Sequence, residues 1–280
     1  MKPFYSAATA LLIALLLTGL TGQSLFAQQK SIGNIFEANL RNFGAIRNNN
    51  TVTGYYFFYE TEGKRKRDRV YTVSLLDQNL EQIGSKTIEG DRFLELREGV
   101  YNGNALALKF ANLKEEAFTL RLLDKSGEEI SSRKVDFGTF HDPRYQPAGG
   151  EGGMMGDQTL FSAPGKGFVH YTFDTNRGAM SPTYYTIHFL PDDGDRERTW
   201  DYQSTPNNVT WEMASFLAAG EEVLLSTVVK RQSLMSRDLE YHVLAIDLDN
   251  GEQLFEKSLE DDQYALMLTN AWLQDAAVRP

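Results

Sequence analysis

Residues 245–259 read AIDLDNGEQLFEKSL, and the fold depends on how this stretch is taken. Asp247, Asp249, Asn250 and Glu252 could supply the oxygens of a calcium loop. The flanking apolar residues suit two strands leaving a tight turn. An EF-type loop takes oxygen ligands at its first, third and fifth positions, glycine at the sixth and glutamate at the twelfth. Counted from Asp247, the fifth residue is Gly251, the sixth Glu252 and the twelfth Ser258, so the calcium pattern fails. Asn250-Gly251 between strand-like runs instead favours a type I′ or bulged hairpin.

The hairpin recurs. LEQIGSKTI (80–88), GEEISSRKV (127–135) and GEQLFEKSL (251–259) share acidic, aliphatic, basic and aliphatic residues at the same offsets. Each follows a β-type run ending in an acidic turn: VYTVSLLDQN, AFTLRLLDKS and EYHVLAIDLDN. A degenerate copy, TYYTIHFLPDDGDRERTWDY, spans 183–202. Upstream of each hairpin lies a run rich in β-branched or aromatic residues: GYYFFYE, ALALKFAN, GFVHYTF and EVLLSTVV. Before each of those comes a weaker apolar segment: IFEANLRNF (35–43), RFLELREG, QTLFSAPG and EMASFLAAG. The unit is four strands, repeated four times, with Glu81, Glu128, Asp195 and Glu252 at spacings of 47, 67 and 57 residues.

Four antiparallel strands per unit is the size of a propeller blade, and such units must stack to bury their faces. The expected fold is all-β, a propeller-like array of about four four-stranded units. Paired β-sandwiches or an open series of meanders are the competing architectures. The units fall at about 32–90, 91–138, 157–204 and 210–260, with a Gly- and Pro-rich loop at 139–156. LEDDQYALM (259–267) resembles IEGDRFLEL (88–96), so 261–280 reads as a partial fifth unit of a longer propeller. A terminal strand and short helix capping a complete small fold is the alternative.

The N-terminus is read apart from the fold. Lys2 precedes the apolar run Ala7 to Leu20, and a polar stretch ends in LFAQQ. The run has 14 residues, against about 20 needed to span a bilayer. This describes a secretory signal peptide over 1–27, cleaved after Ala27. A periplasmic or secreted chain from 28 to 280, with no stable membrane insertion after cleavage, is the expectation.

The chain carries a formal net charge of −10 and no Cys. An acidic surface disfavours nucleic-acid binding, which needs a basic face to release counterions. The absence of Cys excludes disulfides and thiolate metal sites. KRKRDR (64–69) is the one dense basic run, and the repeat places it at a hairpin tip, where it reads as a solvated loop. The four histidines, His141, His170, His188 and His242, show no zinc-ligand spacing. His170 and His188 lie on neighbouring strands and would meet in one register only. Two glycosylation sequons, beginning at Asn49 and Asn208, read as accidental behind a bacterial-type leader. Serine-hydrolase and dinucleotide signatures are absent. No cofactor and no metal are expected.

The long loop HDPRYQPAGGEGGMMGD (141–157) lacks the ending of a phosphate loop. Long loops of this kind are lids or flexible insertions. Loops at one end of a propeller channel carry ligand contacts, so His141, Asp142, Arg144 and Tyr145 are the candidate ligand-binding residues.

The N-terminus ending in LFAQQ and the repeated Leu-Leu-Asp-x-x-x-Glu-x-Ile hairpins resemble uncharacterised secreted β-repeat, propeller-like proteins of Bacteroidota-type bacteria. The resemblance covers 28–280 in style, implies a periplasmic or surface location and transfers no catalytic residue. The function expected is an exported binding or scaffold protein of the cell envelope, for a protein, peptide or glycan. Alternatives are an envelope polysaccharide hydrolase or lyase with carboxylates on inner strands and loops, and a structural assembly subunit.

Overall fold

The computed structural model describes residues 42–48, 51–63, 68–112, 114–136, 159–175, 183–205, 211–231 and 239–259. The expected leader, the loop at 139–156 and the partial unit at 261–280 lie outside them. The described residues form sixteen strands, which group four at a time in chain order. Blade 1 comprises β1 (Phe43–Asn48), β2 (Thr51–Gly63), β3 (Asp68–Asp77) and β4 (Gln82–Asp91). Blade 2 comprises β5 (Leu94–Tyr101), β6 (Leu106–Asn112), β7 (Ala117–Leu123) and β8 (Glu129–Asp136). Blade 3 holds β9 (Leu160–Ala163), β10 (Gly167–Thr175), β11 (Thr183–Pro191) and β12 (Trp200–Gln203). Blade 4 holds β13 (Trp211–Ala219), β14 (Val223–Arg231), β15 (Glu240–Asp247) and β16 (Gln253–Leu259).

Each blade is an antiparallel meander in which every strand pairs with the next, and no sheet closes into a barrel. The all-β, propeller-like reading stands. One strand differs from expectation: β1 begins at Phe43, the last residue of the segment read as the weak first strand of unit 1. Pairing explains the shift, because Phe43, Ala45 and Ile46 register against Phe57, Tyr55 and Gly54 and carry Ile46 into the core.

Alternation decides which blade each side chain meets. On β6, Leu106, Leu108 and Phe110 join Phe58, Val73 and Leu75 of blade 1, while Ala107, and Ala105 just before the strand, turn toward blade 3. On β10, Phe168 faces blade 2, whereas Val169, Tyr171 and Phe173 pack with Val228, Leu244 and Ile246 of blade 4. Three cores therefore separate consecutive blades. Each fully buried Leu or Phe adds about 2–3 kcal/mol. The inner strands are neighbours in succession, β1 beside β5, β5 beside β9 and β9 beside β13.

A second contact recurs at the outer edge. The hairpin turn between the third and fourth strands of one blade seats on the fourth strand of the blade before it. In blade 2, Ser126 and Gly127 lie against Gly84 and Ser85 of β4. In blade 3, a Cβ on Gly194 would stand 2.9 Å from Ile130 Cγ2 of β8. In blade 4, a Cβ on Gly251 would stand 2.7 Å from the Trp200 ring of β12. These three turn glycines have φ of 87°, 76° and 76°, the left-handed region, so the backbone and the close approach require the same residue.

The acidic residues that suggested a calcium loop close these turns. Asp247 Oδ1 accepts from the amides of Asp249 at 2.7 Å and Asn250 at 3.3 Å. Asp77 accepts from Asn79 and Glu81, and Asp124 from Ser126 and Glu128, each in the same turn. The register of β15 against β16 shifts between Ala245 and Ile246, so the hairpin is bulged.

Candidate functional site

Of the ligand-site residues expected from sequence, His141, Asp142, Arg144 and Tyr145 all lie outside the described residues. The polar chemistry that the structure describes sits between blades, in two clusters.

The first lies between blades 2 and 3. Glu98 on β5 pairs across the sheet with Lys109 on β6, Oε1 to Nζ at 2.7 Å. By strict alternation Glu98 would face blade 1, as Leu96 does. A register shift between Leu96 and Glu98 turns it the other way, toward blade 3. There it accepts from the backbone amides of Thr159 and Leu160, each at 2.9 Å, and from the Thr159 hydroxyl at 2.9 Å. Lys109 also hydrogen-bonds Thr159 and sits 4.2 Å from the centre of the Phe118 ring. Burial pushes the Lys109 pKa down, and the Glu98 carboxylate works against that shift.

Phe118 in turn meets His170 edge-on at 5.6 Å, and His170 stacks on His188 at 5.8 Å. The two histidines are directly opposite in the β10–β11 register, so they do meet. His188 shares hydrogen bonds with Thr172 and with Asp201 of β12, both at 2.8 Å. Arg133 of β8 crosses from blade 2 to both oxygens of Asp201, at 2.6 Å each. Burial opposes ionisation of Asp201, but the bonds from His188 and Arg133 outweigh it and hold its pKa at about 2. Every charge named here has a partner of opposite sign or a backbone donor. The cluster joins blades.

The second cluster faces blade 3 from blade 4. Glu212 on β13 registers with Lys230 on β14, His242 on β15 with Val228, and Glu256 on β16 with Leu244, so all four share the face that carries Val228 and Leu244. Lys230 Nζ lies 2.5 Å from Glu256 and 3.2 Å from Glu212. His242 Nδ1 stands 2.9 Å from the same Glu256 oxygen. Burial works against the Lys230 ammonium, yet hydrogen bonding and charge from Glu256 and Glu212 hold its pKa above the usual lysine value.

One cation serves two carboxylates, and it stands closer to Glu256. Glu212 is left with burial dominant, which raises its pKa despite the opposing Lys230 and Ser204. Its Oε2 is buried and makes no hydrogen bond of ordinary geometry. Across the blade gap lie Tyr185, whose hydroxyl burial and Glu212 push upward, and Tyr202, which donates to Gln253 of β16 at 2.8 Å. Lys230, His242 and Glu256 keep part of their side chains in water. The arrangement can hold a proton on Glu212 and offer acceptors and a cation at a partly open rim.

Sequence reading brings His170 and His188 of the first cluster together but misses its other members and the whole of the second. For the second a signal existed: Leu224, Ser226, Val228 and Lys230 alternate onto one face, with a charge ending a row that is otherwise uncharged. Among the described residues no group of three or more His, Asp or Glu is arranged to hold a metal ion.

Sequence comparison with curated proteins finds no match. Among solved structures, the chain is similar to cobalt-substituted Synechocystis apocarotenoid oxygenase, at 10% identity and a TM-score of 0.35. The likeness covers 78% of this chain and 49% of that one. A trigonal crystal form of an ACO/RPE65 chimera gives 10% identity, a TM-score of 0.34 and coverages of 74% and 47%. The chain spans about half the length of these structures, and likeness at this level carries no activity across. Residues 7–277 match the model of a family described as "Family of unknown function (DUF6770)", and the chain belongs to that family.

Proposed function

We propose that the chain is an exported binding or scaffold protein of a Bacteroidota-type cell envelope, which holds a glycan or peptide at the rim between blades 3 and 4. The observation that carries this reading is Glu212. Its Oε2 lacks an ordinary hydrogen bond while Lys230, Glu256 and His242 beside it remain partly open. Lys230 and Ser204 do not offset the burial of this carboxyl, and a ligand hydroxyl or amide reaching the rim would add to what they supply. The mixed set of carboxylate, ammonium, imidazole and Tyr202 suits a neutral, hydroxyl-rich ligand or a peptide better than a polyanion. A thermal-shift screen of the chain from Gln28 to Pro280 against soluble glycans and short peptides tests it. A ligand that raises the melting temperature, and fails to do so with Glu212→Gln, supports the reading; no response to any ligand contradicts it.

A second reading, an envelope polysaccharide hydrolase or lyase, is favoured by one observation. Glu212 and Glu256 are two carboxylates in different environments, with the Glu212 pKa raised. It requires release of sugar ends from a polysaccharide that stops with both Glu212→Gln and Glu256→Gln.

A further inference from the structure

Two polar rows cross blade 3 on the side that faces blade 2. One takes in His170, His188 and Asp201, the other Thr172, Thr186 and Gln203, each running in register from β10 through β11 to β12. Phe168 and Leu190, the next pair on this face, are apolar and belong to the core between the two blades. Both rows open outward. His170 is fully buried, His188 and Thr172 are 8% and 6% exposed, Thr186 is half-buried, and Asp201 and Gln203 are exposed.

Within the rows three side chains form a directed relay. Thr172 Oγ1 lies 2.8 Å from His188 Nε2, and His188 Nδ1 lies 2.8 Å from Asp201 Oδ1. Arg133 of β8 closes the far end on both Asp201 oxygens. Burial opposes ionisation of Asp201, but these two partners keep it ionised, with its pKa at about 2. The ionised Asp201 accepts from Nδ1, so Nε2 is the nitrogen left to accept from the Thr172 hydroxyl. A hydroxyl set on a base that a third group orients is the arrangement of an activated nucleophile, recognised by geometry and not by position in the chain.

Strand pairing holds this geometry. His188 and Asp201 are directly opposite, and Thr172 stands diagonally from His188, opposite Thr186. Neither ladder shifts register here, and a slip of one residue would turn a member of the relay to the other face. Groups on paired strands are held more closely than groups on loops. Thr186, across from Thr172, and Gln203 beyond it offer hydroxyl and amide donors on the open side of the nucleophile. The three members are 16 and 13 residues apart in the chain, so no contiguous motif marks them.

We propose that Thr172, His188 and Asp201 form a nucleophilic relay that hydrolyses short-chain acyl esters. Thr172 Oγ1 attacks the ester carbonyl carbon, and its proton passes to His188 Nε2. The bond from that carbon to the alcohol oxygen breaks, the alcohol leaves with the proton from Nε2, and the acyl group stays on Thr172. Water then repeats the exchange. Its oxygen bonds to the acyl carbon, one proton returns through His188 to Thr172, and a carboxylic acid departs. The slight exposure of Thr172 limits the acyl group to a short one, while the alcohol part lies toward Thr186 and Gln203. The proposal does not rest on the ligand role given above, whose residues meet the opposite face of blade 3.

Turnover of para-nitrophenyl acetate by the chain from Gln28 to Pro280, with mass mapping after treatment with a fluorophosphonate, tests it. The expected results are catalytic release of nitrophenolate and a phosphonyl group on Thr172. Thr172→Val, His188→Gln and Asp201→Asn should each lower kcat/KM about a hundredfold or more, while Thr172→Ser retains turnover. Circular dichroism and melting curves establish which variants are folded. A network that only joins blades would lose stability in these variants but would carry no adduct. The adduct is located on the unaltered chain, so it is decisive even where a variant fails to fold. No adduct on Thr172, or nitrophenolate release that persists in folded Thr172→Val, overturns the proposal.

Discussion

At Lys109 three partners replace the water that a buried ammonium loses: the Glu98 carboxylate, the Thr159 hydroxyl and the face of Phe118. Removing one member of such a pair leaves the other charge buried alone. Lys109→Met should therefore cost about 3 kcal/mol in urea unfolding, and adding Glu98→Gln should return much of that. An undiminished midpoint in the single variant would show that the pair does not hold blades 2 and 3 together. Asp201 gives a test in pH. Its pKa falls from 3.8 to about 2 on folding, so the folded state binds fewer protons there than the unfolded chain. The stability this contributes is present above the unfolded value and is lost as pH drops from about 4 to 2. Asp201 is partly exposed, so solvent screening keeps the effect small. Asp201→Asn should flatten that part of the acid-unfolding curve, and an unchanged acid limb would contradict the assignment. Neither site could be read from sequence in full. His170 and His188 were visible as neighbours, but Glu98 was not, because alternation places it on the wrong face until the bulge is known.

The hairpin is the element that sequence describes best. The failed calcium spacing and the Asn250-Gly251 pair already pointed to a bulged turn, and Asp247 binding its own loop amides is why the acid is there. What alignment of the repeats could not reveal is that each turn is also a plug for the blade before it, since that contact joins residues about fifty positions apart. Trp200 is the clearest case. It stacks on Phe189 at 5.2 Å, donates from Nε1 to the Leu248 carbonyl at 3.0 Å, and lies under Gly251. Trp200→Ala should cost about 2–3 kcal/mol, less than a fully buried tryptophan because part of the ring is in water. Amide exchange should then speed up on both sides of the blade 3–4 contact, in β12 and in the 247–252 turn. Acceleration confined to β12 would mean the turn is held by its own blade alone.

At the scale of the whole molecule, the repeat in the sequence is the repeat in space: the described residues form four meanders, three cores and three seats, each blade touching only its sequence neighbours among these contacts. Stability in such an array is close to a sum of blade and nearest-neighbour terms. The first strand of unit 1 was misplaced because FGAIRN, with its glycine and asparagine, has a weaker strand signal than the IFEANLRNF before it. The central claim is that turn-on-strand seats, and not only the apolar cores, bind blade to blade. A pair of alanine substitutions tests it most directly. Gly165 has φ 68° with nothing within 4 Å of an added Cβ, so Gly165→Ala measures backbone strain alone, about 1–2 kcal/mol. Gly251 has φ 76° with the Trp200 ring 2.7 Å away, so Gly251→Ala adds a clash in the seat and should cost about 1–3 kcal/mol more. That excess, measured by urea unfolding of both variants, is the predicted result; equal costs for Gly165→Ala and Gly251→Ala would contradict the account.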